Sequence, residues 1–198
     1  MIKLTLANIL TLSRFFLAPI FLIFALSESA EGVTAAVLIF AFAALTDWLD
    51  GWLARAYDDE TELGAFLDPI ADKVLTTSAF VVFYMIDVMP LWMLIVIVIR
   101  DFATTVMRSV AEQRGTVMKT SWNAKLKTFA QMVFIVYALS LMWLTFNASS
   151  EKGRSSAQDL LHGDITWTVL FGITVLTVLT LVEYIIHNKQ LFRKASDT

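Results

Sequence analysis

Residues 47–73 read DWLDGWLARAYDDETELGAFLDPIADK and place regularly spaced acids inside a strongly apolar chain. Asp47 and Asp50 are three residues apart, and Asp68 and Asp72 are four apart, so each pair shares one face of a helix. The polar turn YDDETE between the pairs predicts two antiparallel helices. With a rise of about 1.5 Å per residue, Asp47 and Asp72 each lie roughly 15 Å from that turn. The two pairs can therefore face each other at the same depth.

The composition around this stretch is that of a membrane protein. Of the 198 residues, 58% are hydrophobic and only 17% are charged, which is too little charge for the surface of a soluble domain of this length. Several apolar runs of about twenty residues predict a polytopic helical protein, organised as a single domain over residues 1–198. Because cysteine is absent, disulfides, thiol catalysis and thiolate metal sites are excluded.

The apolar runs predict an all-α fold with six transmembrane helices. We expect them at residues 8–27, 33–57, 62–87, 89–113, 124–146 and 165–187. The first run carries Arg14 and lacks the cleavage site of a secretory signal, so we interpret it as a retained anchor. We also expect a short interfacial helix at residues 1–7 and a polar loop at residues 147–164.

The basic residues predict the orientation of the chain in the membrane. They concentrate near the N-terminus, between the fourth and fifth helices and in the tail after residue 187, whereas the alternate loops are mainly acidic. The positive-inside rule therefore places both termini in the cytoplasm, which requires an even number of spans. The acids at 47–72 then lie in the cytoplasmic half of the membrane.

Four acids at membrane depth need a compensating charge. One acid at the centre of a spanning helix costs about 3 kcal/mol, and four cost on the order of 10 kcal/mol. Divalent cations offset this best, and ligation by carboxylates alone selects Mg²⁺ or Mn²⁺. Magnesium in turn suggests a phosphorylated ligand. Gly51, Ala54 and Gly64 leave room beside the acids for such a ligand, although small residues also serve close helix packing.

The full pattern resembles the signature of the CDP-alcohol phosphotransferases. It reads Asp47-x2-Asp50-Gly51-x2-Ala54-Arg55-x8-Gly64-x3-Asp68-x3-Asp72, with every fixed position filled. The resemblance implies six transmembrane helices, usually in a homodimer, and two metal ions held by the four acids. It further implies that Asp72 is the general base and that Gly51, Arg55 and Thr61 contact the CDP-lipid.

Other segments resemble the bacterial branch of the family that uses glycerol 3-phosphate as the acceptor. They are NILTLSRFFLAPIF, IRDFATTVMRS and NAKLKTFAQM. An anionic acceptor needs cations near the metals, and by this resemblance Arg108 and Lys125 are the best candidates, with Arg100 and Lys127 beside them. Alternatively, these cations only anchor the loop to anionic headgroups. Arg100 lies deep enough to need a partner such as Asp101, a site acid or a bound phosphate.

The first helix carries a polar stripe of its own. Asn8, Thr11 and Arg14 either pack at the interface or line the site, and the depth of Arg14 favours the second interpretation.

The sequence thus predicts a multi-pass enzyme of the inner membrane whose active site faces the cytoplasm. By resemblance, it transfers a phosphatidyl group from CDP-diacylglycerol to glycerol 3-phosphate. Besides these substrates, we expect the lipid bilayer as a partner and no nucleic acid. Two alternatives stay open. A sister enzyme would use another acceptor, such as inositol phosphate or serine, and a cation transporter would use the acids as an ion path.

Overall fold

A computed structural model describes residues 6–57, 62–113 and 122–187. At residues 6–12, 47–57, 62–69, 72, 110, 112–113 and 187 it describes only the helical backbone. Within these ranges the chain consists of seven helices joined by turns. They are α1 Leu6–Ala25, α2 Ala30–Tyr57, α3 Glu62–Met85, α4 Leu91–Gln113, α5 Trp122–Asn147, α6 Glu151–Leu161 and α7 Asp164–His187.

The six long helices form one bundle with a shared apolar core. α1 packs against α2 and α3, while α7 packs against α4 and α5, and α5 also reaches α2. Phe80 and Phe83 of α3 meet Phe134 of α5, with ring centroids 6.4 and 5.8 Å apart. Phe21 of α1 packs against Phe40 of α2 at 5.6 Å. The contacts of Phe134 join the two halves of the bundle, because α3 packs with α1 whereas α5 packs with α7.

The outward faces of the helices are apolar as well. Phe16, Ile23, Leu38, Ile99 and Phe129 all expose more than half of their surface. A soluble protein rarely exposes so many large apolar side chains together, whereas a helix bundle surrounded by lipid does. The all-helical fold and its apolar surface therefore agree with the predicted class of membrane protein.

By length and composition, two helical stretches of the described chain are suited to cross a membrane. They are Trp122–Asn147 and Glu151–Ile186, and the second contains α6, α7 and the turn between them. Shorter apolar stretches occur at Ser13–Ala25, Ala30–Thr46 and Lys73–Met85. The fourth predicted span, α4, carries Arg100, Asp101 and Arg108, which lower its apolar character.

The prediction of a loop at residues 147–164 is wrong, because most of this segment forms α6. Ser150 caps this helix by accepting a hydrogen bond from the backbone N–H of Gly153 at 3.1 Å. Ala157 and Leu161, four residues apart, are buried against the bundle. A single narrow apolar stripe stabilises this helix, and such a stripe disappears in an averaged hydropathy profile.

The ends of the predicted helices differ from the observed ones by at most three residues, and several coincide. α2 begins at Ala30 rather than residue 33, because the side chain of Ser29 accepts a hydrogen bond from Gly32 N–H and caps the helix early. The turns before α2 and α4 use left-handed backbone at Glu28 and Asp87. Residues 6 and 7 belong to α1 rather than to a separate interfacial helix, and residues 1–5 lie outside the described chain.

Candidate active site

The signature acids occupy adjoining ends of two helices. Asp47 and Asp50 lie in the last three turns of α2, and Asp68 and Asp72 lie in the first three turns of α3. These two helix ends are joined by residues 58–61, so all four acids belong to the same end of the bundle. The structure describes the helical backbone at these four positions and not their side chains.

The residues predicted to contact the CDP-lipid lie on the same two helices and on α1. Gly51, Ala54 and Arg55 lie on α2 and Gly64 lies on α3. Asn8 and Thr11 lie in the first two turns of α1, which packs against both of these helices. Thr61 lies outside the described residues. Arg14, one turn further along α1 than Thr11, is almost completely buried.

A cationic cavity of about 500 Å³ opens near the acid-bearing end of α3. Its described lining comes from α3, α4, α5 and α7 and consists of Lys73, Arg100, Thr104, Thr105, Arg108, Ala124, Lys125, Thr128, Phe129 and Tyr184. Four of these residues are cations, and none of the described ones is a carboxylate. The cavity is therefore suited to bind an anion, and the threonine and tyrosine hydroxyls of its wall can add hydrogen bonds.

A network of charged side chains lies beside the cavity, centred on Asp101 of α4. Its carboxylate accepts from Arg100 Nη1 at 3.2 Å, contacts Lys127 Nζ of α5 and lies 3.7 Å from Lys73 Nζ of α3. The guanidinium of Arg100 also donates to Thr180 Oγ1 of α7 at 2.9 Å. Asp101 and Lys127 are both buried. Of the partners expected for Arg100, which were Asp101, a site acid or a bound phosphate, the structure shows Asp101.

The structure brings three of the four predicted acceptor residues together. Arg100, Arg108 and Lys125 line one cavity although they come from two helices. Lys127 is placed differently, because its ammonium is completely buried against Asp101 and is not among the cavity's lining residues. Helical spacing explains this, since Lys125 and Lys127 are two residues apart and point to different faces of α5.

Sequence reasoning overlooked Lys73, which lines the cavity and contacts Asp101. A signal was available, because Lys73 directly follows Asp72 and an isolated lysine within an apolar helix is costly. This adjacency has a geometric consequence. The cationic cavity begins one residue along α3 from the last signature acid.

The donor chemistry at this end of the bundle suits hard divalent cations. Two adjoining helix ends carry four aspartates, and every charged residue described in the neighbouring cavity lining is a cation. Carboxylate oxygens are the ligands that Mg²⁺ and Mn²⁺ prefer. Asp47, Asp50, Asp68 and Asp72 are thus the residues that would hold such ions.

The chain is similar to known sequences over most of its length. The sequence model of the CDP-alcohol phosphatidyltransferase family matches residues 4–178. The chain belongs to this family. The match includes both acid-bearing helix ends and every described lining residue of the cavity except Tyr184. As a CDP-alcohol phosphatidyltransferase with an all-helical fold and apolar outer faces, the chain is a membrane protein.

Curated relatives come from several bacteria. A "Probable phosphatidylglycerophosphate synthase" of Mycobacterium tuberculosis is 45% identical over 133 residues, covering 66% of this chain and 63% of the relative. A "CDP-diacylglycerol--glycerol-3-phosphate 3-phosphatidyltransferase" of Bacillus subtilis is 38% identical over 157 residues, covering 73% of this chain and 81% of the relative. The Escherichia coli protein with the same name is 36% identical over 138 residues, covering 67% and 75%.

Proposed function

We propose that this chain transfers the phosphatidyl group of CDP-diacylglycerol to glycerol 3-phosphate, giving phosphatidylglycerophosphate and CMP. The observation that carries the proposal is the cavity lined by Lys73, Arg100, Arg108 and Lys125, which starts one residue from Asp72. It supplies an anion site beside the signature acids. The names of the bacterial relatives point to the same acceptor.

In this proposal the four acids have different catalytic roles. Asp72 takes the proton from a hydroxyl of the acceptor, and the resulting oxygen forms a bond to the phosphorus that carries diacylglycerol. The bond from that phosphorus to the CMP oxygen breaks, and CMP leaves. Two divalent ions, Mg²⁺ or Mn²⁺, bound by Asp47, Asp50, Asp68 and Asp72 would neutralise the diphosphate and the charge that develops on CMP.

The remaining groups bind and orient the two substrates. Gly51, Ala54, Arg55, Thr61 and Gly64 are proposed to contact the CDP-lipid, with Asn8 and Thr11 of α1 beside them. The cavity cations hold the acceptor phosphate, so that its hydroxyl lies near Asp72. Binding the phosphate away from the reacting oxygen fixes the acceptor without blocking the attack.

The proposal includes the arrangement in the membrane. The six long helices span the inner membrane, both termini lie in the cytoplasm, and the acids and the cavity face the cytoplasm. A lipid-linked substrate and a water-soluble one can meet only at such a boundary. We further propose that the active form is a homodimer.

The decisive experiment measures CMP release by the purified full-length protein in detergent with CDP-diacylglycerol and Mg²⁺. Acceptors are offered one at a time: glycerol 3-phosphate, inositol phosphate, serine and glycerol. We expect release with glycerol 3-phosphate at a rate far above that with the others. Release mainly with inositol phosphate or serine would assign a different acceptor, and no release with any of them would contradict the proposed reaction.

Asp72→Asn tests the general base. We expect this variant to lose turnover by about 10²-fold or more, because general base catalysis supplies about that much. Binding of CDP-diacylglycerol, measured by equilibrium binding of the radiolabelled lipid, should stay measurable, because the amide keeps the shape of the side chain. A turnover rate near that of the wild type would show that Asp72 is not the base.

A further inference from the structure

Asp101 binds cations from three different helices. Lys73 comes from α3, Arg100 from α4 and Lys127 from α5, and all three ammonium or guanidinium groups lie within ion-pairing distance of this one carboxylate. Because Asp101 and Lys127 are buried, solvent and salt screen these interactions only weakly. Asp101 is therefore the electrostatic centre of the region between these helices.

The network carries more positive than negative charge. Among the side chains that the structure describes, three cations surround one carboxylate, which leaves a formal excess of two positive charges. Two of the three, Lys73 and Arg100, also line the cavity, where Arg108 and Lys125 add further positive charge. A phosphate monoester carries a charge of about −1.5 to −2 at neutral pH. An organic phosphate in the cavity would therefore balance the excess around Asp101.

The Arg100 guanidinium is restrained from more than one side. Nη1 donates to Asp101 Oδ1 at 3.2 Å and lies 3.4 Å from Thr104 Oγ1, while Nη2 donates to Thr180 Oγ1 at 2.9 Å. The planar fork of an arginine held at both of its ends has little rotational freedom. Arg100 is thus oriented before any ligand arrives.

We propose that Asp101 is a positioning residue for the acceptor phosphate. It fixes Lys73 and Arg100 at the wall of the cavity and does not itself contact the acceptor. Since Lys73 follows Asp72 on α3, the contact between Lys73 and Asp101 also ties the helix of the base to α4, which carries two of the four cavity cations, Arg100 and Arg108. This inference rests on the proposed function, because it assigns a role within the same site.

The test compares Asp101→Asn and Asp101→Glu with the wild type in the CMP-release assay with CDP-diacylglycerol, glycerol 3-phosphate and Mg²⁺. Asparagine keeps the shape but removes the charge, so we expect the KM for glycerol 3-phosphate to rise about tenfold or more, as for the loss of a charge-assisted hydrogen bond. The KM for CDP-diacylglycerol should stay within about twofold. Glutamate restores the charge and should recover much of the acceptor KM.

A second variant keeps the test informative if Asp101→Asn does not fold. Asp101→Asn leaves three cations without their counter-charge, which is unfavourable in a buried region. The double variant Asp101→Asn with Lys127→Met removes both partners of the buried pair, so we expect a higher folded yield than for Asp101→Asn alone. Its acceptor KM should stay raised, because Lys73 and Arg100 still lack the carboxylate.

Two threonines of α7 provide a matched comparison. Thr180 and Thr174 are both buried. Thr180 accepts a hydrogen bond from Arg100, whereas the hydroxyl of Thr174 donates to Leu170 O of its own helix. We expect Thr180→Val to raise the acceptor KM severalfold and Thr174→Val to leave it unchanged. Equal acceptor KM values for the two variants would contradict the restraint on Arg100.

The outcomes separate this inference from the proposed function. A wild-type protein that does not use glycerol 3-phosphate contradicts the proposed function, whatever the variants do. With an active wild type, an unchanged acceptor KM in Asp101→Asn and in the double variant overturns the positioning role. So does a parallel change in both KM values, in kcat and in melting temperature that glutamate does not rescue, because that pattern indicates a purely structural residue.

Discussion

The cations of the cavity differ in how firmly they are held. Arg100 is buried and hydrogen-bonded by two helices, whereas Arg108 and Lys125 are exposed side chains of α4 and α5. A restrained cation loses little conformational entropy when it binds an anion, while an exposed flexible one loses more. We therefore interpret Arg100 as the fixed part of the proposed phosphate site, and Arg108 and Lys125 as groups that close on the ligand.

Arg108→Ala tests the exposed part of this site. We expect the KM for glycerol 3-phosphate to rise roughly tenfold with little change in the KM for CDP-diacylglycerol, because one charge-assisted contact to the phosphate is lost. Steady-state kinetics with each substrate varied in turn measures both values. Arg154→Ala is the matched control, since Arg154 is an exposed arginine on α6 that donates to Ala148 O and lies far from the cavity. An unchanged acceptor KM in Arg108→Ala would remove this residue from the site.

At the scale of elements, α6 closes the end of the bundle opposite the cavity. Its buried Ala157 and Leu161 belong to the core. At its C-terminal end, Nε2 of His162 lies 3.0 Å from the backbone oxygen of Ile86. α6 packs mainly on α5, near the end that is farthest from Lys125. This short helix therefore stabilises the turns between the long helices and is separate from the proposed chemistry.

Ser150→Ala tests that separation. Removing the cap of α6 should lower the free energy of unfolding by about 1 kcal/mol, because the N–H of Gly153 loses its acceptor. Thermal melting in detergent measures the loss, and CMP release at a temperature well below the melting point should stay at the wild-type rate. Ser149→Ala, at the exposed preceding residue, should change neither. A large fall in activity with an unchanged melting temperature would connect α6 with the reaction.

At the scale of the whole molecule, the basic residues are more numerous at one end of the bundle than at the other. The end that carries the acids also carries Lys73, Arg108 and Lys125, whereas the turns at the opposite end carry Glu28 and Asp87. This asymmetry in lysine and arginine supports the proposed orientation, in which the end richer in these residues faces the cytoplasm. A metal-bound diphosphate and a phosphorylated acceptor would then meet at the end of the protein that water can reach.

Single cysteine variants test this orientation without background, because the chain contains no cysteine. Ser155 is exposed on α6, and Ser196 belongs to the C-terminal tail outside the described residues. In spheroplasts, a membrane-impermeant maleimide should label Ser155→Cys, and it should label Ser196→Cys only after lysis. Labelling of both residues in sealed spheroplasts would place them on the same side and would contradict the six-span topology.

The limits of sequence-based prediction follow from how each feature is encoded. The signature acids are predictable because their spacing is local and their cost in an apolar helix is high. The exact start of α2 and the existence of α6 are harder to predict, since single serine caps and two buried apolar residues decide them. Lys127 shows a third limit. It lies close to Lys125 in sequence, yet the partner that it faces belongs to another helix.

The sequence by itself determined the membrane class, the all-α fold, the approximate positions of the six long helices and the family. All of these depend on composition and on spacing within a single helix. Only the tertiary structure decided which cations share a cavity and which one is committed to Asp101. The reason is physical: Lys73, Arg100, Lys127 and Thr180 come from four helices, and their interactions exist only when those helices pack together.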